Sequence, residues 1–185
     1  FVKAKQTIEF KKIPERKTHV SKVKLSEFFS NFISASEQMR TTIRDYLVFV
    51  LVTGKRKGEA ESLSWDNINF KHGTITLPIT KNKKVDIVPM TDFLYIFLKS
   101  RQREADAHNH WVFPSHFTNG AHAGKHISSP YKSLKKIEGF DITVHDFRRT
   151  FSTALKELGI ADSDISSLLN HSKKGVTEGY IFRSL

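Results

Sequence analysis

The chain has 185 residues, a size that fits one domain with one substantial core. Its 30 Lys and Arg residues outnumber its 19 Asp and Glu residues, and the resulting formal net charge of +11 favours a polyanionic partner. The absence of cysteine excludes disulfides, thiolate metal sites and cysteine nucleophiles, and it fits a cytoplasmic protein. The longest apolar run, residues 46–52, is far shorter than the roughly 20 residues that span a bilayer.

The first third of the chain predicts helices. Residues 1–20 are basic and lack periodicity, and we expect them to form a linker that enters the folded domain. Apolar residues recur at helical spacing over residues 25–33. A second helix is expected from about residue 41 to Gly54, and because it is apolar on most sides it should be buried. Residues 59–63 suit a short third helix.

A two-residue alternation follows. Residues 75–79 alternate between apolar and other side chains, and further apolar residues occur at 68–70 and 85–88. We expect these segments to form a small antiparallel sheet with turns at residues 72–73 and 81–84.

Helical patterns return after the sheet. Residues 93–98 have helical spacing, and residues 104–126 predict a polar loop. Ser129 and Pro130 resemble an N-cap followed by a proline at the first helical position, which predicts a helix through Ile137.

The next predicted helix has capping signals at both ends. Thr143 and Asp146 have the spacing of a capping box. The apolar stripe of this helix reaches Leu158, and Gly159 should end it. A short helix over residues 165–169 and one more beyond it complete the chain. The expected fold is mostly α with a small antiparallel three-stranded β-sheet (α+β).

Two segments combine side chains suited to binding a phosphate. Arg56 follows the predicted buried helix, so its planar guanidinium is held on a rigid element, and Glu59 lies within reach to orient it. His145 and Arg148 share one face at a helix N-terminus, where the helix dipole also favours an anion. Each pattern by itself is also typical of an ordinary solvated surface.

Three more residues complete the candidate set. The Tyr180 phenol is a poor nucleophile at its usual pKa of about 10, but neighbouring arginines would favour its ionised form. His171 precedes it by nine residues, and Lys81 lies in the predicted hairpin turn. Considered singly, Tyr180 is equally typical of a half-buried aromatic, His171 of a helix cap and Lys81 of a solvated turn.

The order of these residues resembles the tyrosine recombinases, also called phage integrases. Residues 53–59 are similar to the family's first arginine box, and Thr80-Lys81 to its hairpin lysine. Residues 145–150 resemble its second box, and Asn170-His171-Ser172 followed by Tyr180 resembles its third. The resemblance extends over almost the whole chain.

The family resemblance implies how the scissile DNA phosphate would be held. Arg56 and Arg148 would clamp its non-bridging oxygens, and His171 would donate a further hydrogen bond. Glu59 would support Arg56. Asn170 stands where the family often has glycine, and because asparagine tolerates the left-handed conformation we expect little harm.

The resemblance also implies the chemical step. Tyr180 would attack phosphorus and form a 3′-phosphotyrosine link, while Lys81 protonates the leaving 5′ oxygen. His145 would act as general base or position the reacting groups. The covalent link conserves the phosphodiester energy, so that neither a cofactor nor a metal is expected.

Domain organisation and assembly follow from the same resemblance. Residues 1–20 would be a linker from a missing N-terminal DNA-binding domain, and residues 21–185 a catalytic domain without the family's usual C-terminal segment. We expect full-length protein, encoded by a bacterium, phage or mobile element, to act as a homotetramer on two double-stranded DNA duplexes. The fragment alone should be monomeric, should bind DNA weakly and should not bind membranes.

Three alternatives stay open at the level of sequence. A type IB topoisomerase-like strand transferase uses the same residue types, and a non-catalytic DNA-binding module could retain the fold. A metal site is the third, because five histidines occur within one short stretch, although their spacing fits no familiar zinc pattern. Those histidines are His108, His110, His116, His122 and His126.

Overall fold

The described part of the chain is mostly helical with one small antiparallel sheet, which confirms the predicted fold class. The computed structural model describes residues 20–77, 85–106, 108–117, 119–121, 123–128 and 130–169. Its α-helices are α1 (Leu25–Glu37), α2 (Thr41–Thr53), α3 (Lys57–Glu61), α4 (Asp92–Glu104), α5 (Tyr131–Leu134), α6 (Val144–Glu157) and α7 (Asp162–Leu168). Its strands are β1 (Ile68–Asn69), β2 (Thr74–Leu77) and β3 (Asp86–Pro89). Within these described ranges, no helix is both long and apolar enough to cross a membrane.

Helix α2 is the central element of the core. Its Tyr46, Leu47 and Phe49 side chains are fully buried, and the helix packs against α6. Gly54 ends α2 in the left-handed region at φ +62°, where its N–H donates to the Val50 carbonyl. The predicted buried helix and its glycine stop are therefore confirmed.

Aromatic rings join α1 to α6. The Phe28 ring centroid lies 5.7 Å from that of Phe147 and 5.4 Å from that of Phe140, in edge-on arrangements. Phe32 also meets Phe147 edge-on, at 5.6 Å. Such edge-to-face contacts are favourable beyond the apolar area that they bury. They hold the first half of α6, which carries two of the candidate site residues, against the core.

The sheet has strand order β1-β2-β3, and both strand pairs are antiparallel. Ile75 and Leu77 of β2 face the core, as their alternation predicts. In and just before β3, apolar residues face solvent instead of the core. Val85 and Ile87 are 58% and 55% exposed, whereas Asp86 is buried. The strand therefore directs a carboxylate into the protein.

The predicted capping box of α6 is confirmed, whereas α5 differs from its prediction. The N–H and Oγ1 of Thr143 donate to Asp146 Oδ2 at 2.8 and 2.7 Å. Pro130 is the N-cap of α5 rather than its first residue, and α5 ends at Leu134. The chain reaches Ile137 through i→i+3 turns instead of α-helix, which explains the error in length.

Three other local predictions are wrong. Leu158 is 76% exposed, because the last turn of α6 points its side chains to solvent from residue 156 onward. Helix α3 starts two residues earlier than the predicted 59–63, because the Glu59 carboxylate accepts the Arg56 N–H and so begins the helix there. Val20, assigned to the linker from sequence, is 2% exposed and belongs to the core.

Candidate active site

The turn between α2 and α3 holds the first candidate arginine. Arg56 is the N-cap residue of α3. Its N–H donates to Glu59 Oε2 at 2.9 Å, and its Nη1 donates to Glu59 Oε1 at 2.8 Å. The Glu59 side chain is 8% exposed, whereas that of Arg56 is 38% exposed. The predicted contact is present, so a buried carboxylate fixes a guanidinium that still reaches solvent.

Arg148 of α6 donates hydrogen bonds to the same turn and to the end of α7. Its Nη1 donates to the Gly54 carbonyl and its Nη2 to the Leu169 carbonyl, both at 2.6 Å. The residue is buried. Burial, followed by the charge of Arg56, lowers the pKa of Arg148 to about 10, so the guanidinium stays charged at neutral pH.

Arg56 and Arg148 bring two positive charges to one locus. The charge of Arg56 disfavours the charged form of Arg148, and the carboxylates of Glu59 and Asp86 oppose that effect. An anion bound at this locus would interact favourably with both guanidiniums and so offset their repulsion. Guanidiniums also match phosphate oxygens with parallel hydrogen bonds. The arrangement is therefore suited to a phosphate.

His145 lies on the first turn of α6 and is exposed. Partial burial lowers its pKa below the usual value near 6.5, and the positive charges of Arg149, Arg148 and Arg56 add to this effect against an opposing contribution from Asp146. The shift therefore favours the neutral form of the imidazole. A neutral ring beside two arginines can accept a proton from a reacting group.

A cavity of about 290 Å³ opens beside His145. Lys57 and Tyr131 line it together with Thr143. Tyr131 is 54% exposed, so the cavity offers an aromatic surface and a cation next to the candidate base. A ligand bound next to His145 would have room on this side.

Sequence reasoning missed one charged pair in this region. Lys55 belongs to a basic run that is typical of a solvated turn, but it is 3% exposed and its Nζ lies 3.0 Å from Asp86 Oδ2. The only signal in the sequence was an acidic residue in an otherwise apolar strand segment. Nothing local indicated its partner, because the two residues are 31 positions apart.

The structure therefore brings together Arg56, Glu59, His145 and Arg148. The other three predicted site residues, Lys81, His171 and Tyr180, lie outside the described residues.

The histidine-rich segment forms no metal centre among its described members. Across the described ranges, no three His, Asp or Glu side chains gather in a way that could hold a metal ion. His110 and His126 instead lie edge-on to the Trp111 ring, with centroid distances of 4.9 and 5.2 Å. His122 falls outside the described residues.

Comparison with known proteins shows the family of this chain. Residues 24–184 match the phage integrase family. The chain belongs to that family. The prophage integrase IntZ of Escherichia coli strain K12 is 32% identical over 151 residues, which cover 80% of this chain and 36% of the relative.

Solved recombinase structures share the fold. The XerA recombinase crystal structure superposes with a TM-score of 0.65 at 22% identity, over 87% of this chain and 58% of that one. A lambda integrase (75–356) dimer bound to a COC′ core site also gives 0.65, at 17% identity, over 90% of this chain and 62% of that one. The chain covers between about a third and a half of the length of the curated phage integrase relatives that it matches.

Proposed function

We propose that this chain is the catalytic domain of a site-specific DNA recombinase that cuts and rejoins double-stranded DNA through a 3′-phosphotyrosine link. The observation that carries the proposal is the joint placement of Arg56 and Arg148 at one turn of a phage integrase family chain. DNA as the partner is supported by the net charge of +11 and by the similar lambda integrase structure, which is bound to a core site.

The two arginines would act on the charge of the scissile phosphate. Negative charge increases on the non-bridging oxygens as the nucleophile approaches, and fixed cations stabilise that charge without reorganising. Glu59 holds Arg56 by two hydrogen bonds, and backbone carbonyls hold Arg148. This prior fixation lowers the entropic cost of placing both guanidiniums in the transition state. His171 would donate a further hydrogen bond to the same phosphate.

The proton transfers balance in the proposed step. The Oη of Tyr180 forms a bond to phosphorus, and its proton passes to the neutral ring of His145. The bond from phosphorus to the 5′ oxygen breaks, and that oxygen takes a proton from the Lys81 ammonium. The products are a 3′-phosphotyrosine and a free 5′-hydroxyl. A 5′-hydroxyl from a second strand then reverses the step and completes the exchange.

The assembly is proposed on the family resemblance. Full-length protein would work as a homotetramer on two DNA duplexes. Because Val20 belongs to the core, the catalytic domain would comprise residues 20–185, with residues 1–19 leading from a DNA-binding domain. The chain alone would then be monomeric and bind DNA weakly.

A strand-exchange assay tests the proposed function. Full-length protein is incubated in EDTA with two labelled duplexes that carry the element's own attachment sites. We expect recombinant joints with the wild type and none with Tyr180→Phe, although both should bind the duplexes equally.

Two results would favour the other candidate activities. Relaxation of supercoiled plasmid without recombinant joints would support a type IB topoisomerase-like enzyme. Binding without cleavage by the wild type would mean that the fold serves as a DNA-binding module.

A further inference from the structure

The Lys55–Asp86 ion pair is unusually well buried for two charged residues. The two side chains are 3% and 6% exposed, and Lys55 Nζ lies 3.0 Å from Asp86 Oδ2. The same ammonium donates to the Leu168 carbonyl at 2.9 Å. The proposed chemistry uses neither residue, so the pair needs a separate explanation.

The Lys55 ammonium contacts two segments that adjoin proposed catalytic residues. Asp86 is the first residue of β3 and pairs with Leu77, the last residue of β2. We call this pair the hairpin base, because it is the last described pair of β2 and β3 and Lys81 lies between its two residues in the sequence. Leu168 ends α7, three residues before His171.

Lys55 itself lies directly before Arg56 and after Gly54, whose carbonyl accepts from Arg148. One cation therefore ties the hairpin base and the end of α7 to the turn that carries Arg56 and binds Arg148.

Stability alone does not account for this pair. Removing two charges from water costs about as much as their attraction returns, so well-packed apolar residues often serve equally well. An ion pair adds a geometric requirement, because the ammonium keeps its hydrogen bonds only when its acceptors lie at defined positions. A buried pair at the base of the hairpin therefore restricts where the strand can lie.

We propose that the Lys55–Asp86 pair is a positioning element that places the Lys81 hairpin for protonation of the leaving 5′ oxygen. This inference rests on the proposed recombinase function. Lys55 and Asp86 touch neither DNA nor the reacting atoms, and they act through the position of β3. The end of α7 depends on them less, because Arg148 also holds the Leu169 carbonyl at 2.6 Å.

The test removes the pair without leaving a buried charge. Lys55→Met with Asp86→Leu in one protein keeps the volume close to that of the original pair and should fold, since buried ion pairs are often replaceable by apolar residues. Single substitutions would leave an unpaired charge and are not suitable. Far-UV circular dichroism and duplex binding establish that the double variant is folded and engages DNA.

The substrate is a nicked duplex in which sulfur replaces the 5′ bridging oxygen, compared with the ordinary duplex. With oxygen, the bond from phosphorus to O5′ breaks and O5′ needs the Lys81 proton. With sulfur, the bond from phosphorus to sulfur breaks and a thiolate leaves unprotonated, because thiols have a pKa of about 8.5. A loss of cleavage rate caused by a misplaced Lys81 therefore disappears on the sulfur substrate. A loss of rate caused by general damage to the structure persists on both substrates.

We expect the double variant to form adduct about 10 to 100 times more slowly than wild type on the oxygen substrate, since general acids contribute roughly 100-fold or more. On the sulfur substrate its rate should be within about twofold of wild type, and Lys81→Met should show the same contrast more strongly. A matched control removes the other buried pair with Asp45→Leu and Arg101→Met, and its ratio of oxygen to sulfur rates should equal that of wild type.

Two outcomes overturn the inference and can be told apart. Equal defects of the Lys55→Met, Asp86→Leu protein on both substrates, or no defect on either, would contradict the positioning role while leaving the recombinase proposal intact. A wild-type protein that forms no adduct on either substrate would contradict the recombinase function itself, and the positioning role with it.

Discussion

At the scale of single residues, the surroundings of His145 shift its pKa. Burial and the positive charge of Arg149 are the two largest causes of its lowered pKa. A base that must be neutral loses activity as pH falls through its own pKa. The lowered pKa of His145 therefore moves that loss to more acidic pH.

Arg149→Gln should raise the pKa of His145, because it removes the positive charge that does most to lower this pKa and leaves the Asp146 carboxylate less compensated. The acidic limb of the cleavage-rate profile should move to higher pH, while the rate above pH 8 stays near that of wild type. An NMR titration of the His145 ring, assigned with His145→Gln, measures the pKa directly. An unchanged limb together with a raised His145 pKa would mean that another group is the base.

Another residue-scale feature is the buried guanidinium of Arg101. Its Nη1 lies 2.7 Å from Asp45 Oδ2, its Nε donates to the Val112 carbonyl at 2.7 Å, and both charged side chains are buried. One side chain thereby joins α2, α4 and the segment after α4.

Arg101→Met should lower the free energy of unfolding by about 3 kcal/mol, the lower end for a broken buried pair, because Arg44 keeps one contact with Asp45. Adding Asp45→Leu should recover much of this loss, since no unpaired charge then remains. Urea unfolding of both proteins measures the difference. If the double variant were less stable than Arg101→Met alone, the Asp45 charge would not be the source of the loss.

At the scale of elements, the α2–α6 contact depends on the absence of a side chain at Gly54. A Cβ there would lie 2.4 Å from Phe151 Cδ1 and 2.8 Å from Leu169 Cδ2, and the backbone is left-handed at φ +62°. Phe151 follows Arg148 by three residues on α6, and the Leu169 carbonyl accepts a hydrogen bond from Arg148. The turn can therefore approach α6 only with glycine at this position.

Gly54→Ala should destabilise the protein by about 2 to 4 kcal/mol, combining left-handed strain with overpacking. Gly73→Ala is the matched control, because Gly73 has φ +61° with nothing within 4 Å of an added Cβ, and it should cost only about 1 kcal/mol. Thermal unfolding of the two variants separates the steric contribution from the backbone one. Equal losses would show that Phe151 and Leu169 move aside freely.

Local signals explain how much of these elements could be predicted. Gly54 and the Thr143–Asp146 capping box depend on neighbours within a few residues, so the sequence was sufficient for both. The Lys55–Asp86 pair was missed, because a lysine within a basic run has the composition of a solvated turn and its partner is distant in the chain. Burial of a charge is a tertiary property that no local pattern reports.

At the scale of the whole molecule, the structure brings together four of the seven proposed site residues. Arg56, Glu59, His145 and Arg148 were predicted from separate motifs, and the packing of α2 against α6 brings them together. Their joint order in the sequence indicated the family before any geometry was available. Their proximity in space depends on tertiary packing, which the periodicity of a sequence does not report.

Covalent trapping tests the central claim most directly. Full-length protein is incubated in EDTA with a duplex nicked beside the scissile phosphate of its own attachment site, and the product is analysed by denaturing gel and by mass spectrometry of the nuclease-trimmed adduct. We predict a denaturation-resistant adduct whose phosphate is attached to Tyr180, and none with Tyr180→Phe. A phosphate attached to another residue, or no adduct on a duplex that the protein demonstrably binds, would contradict the account.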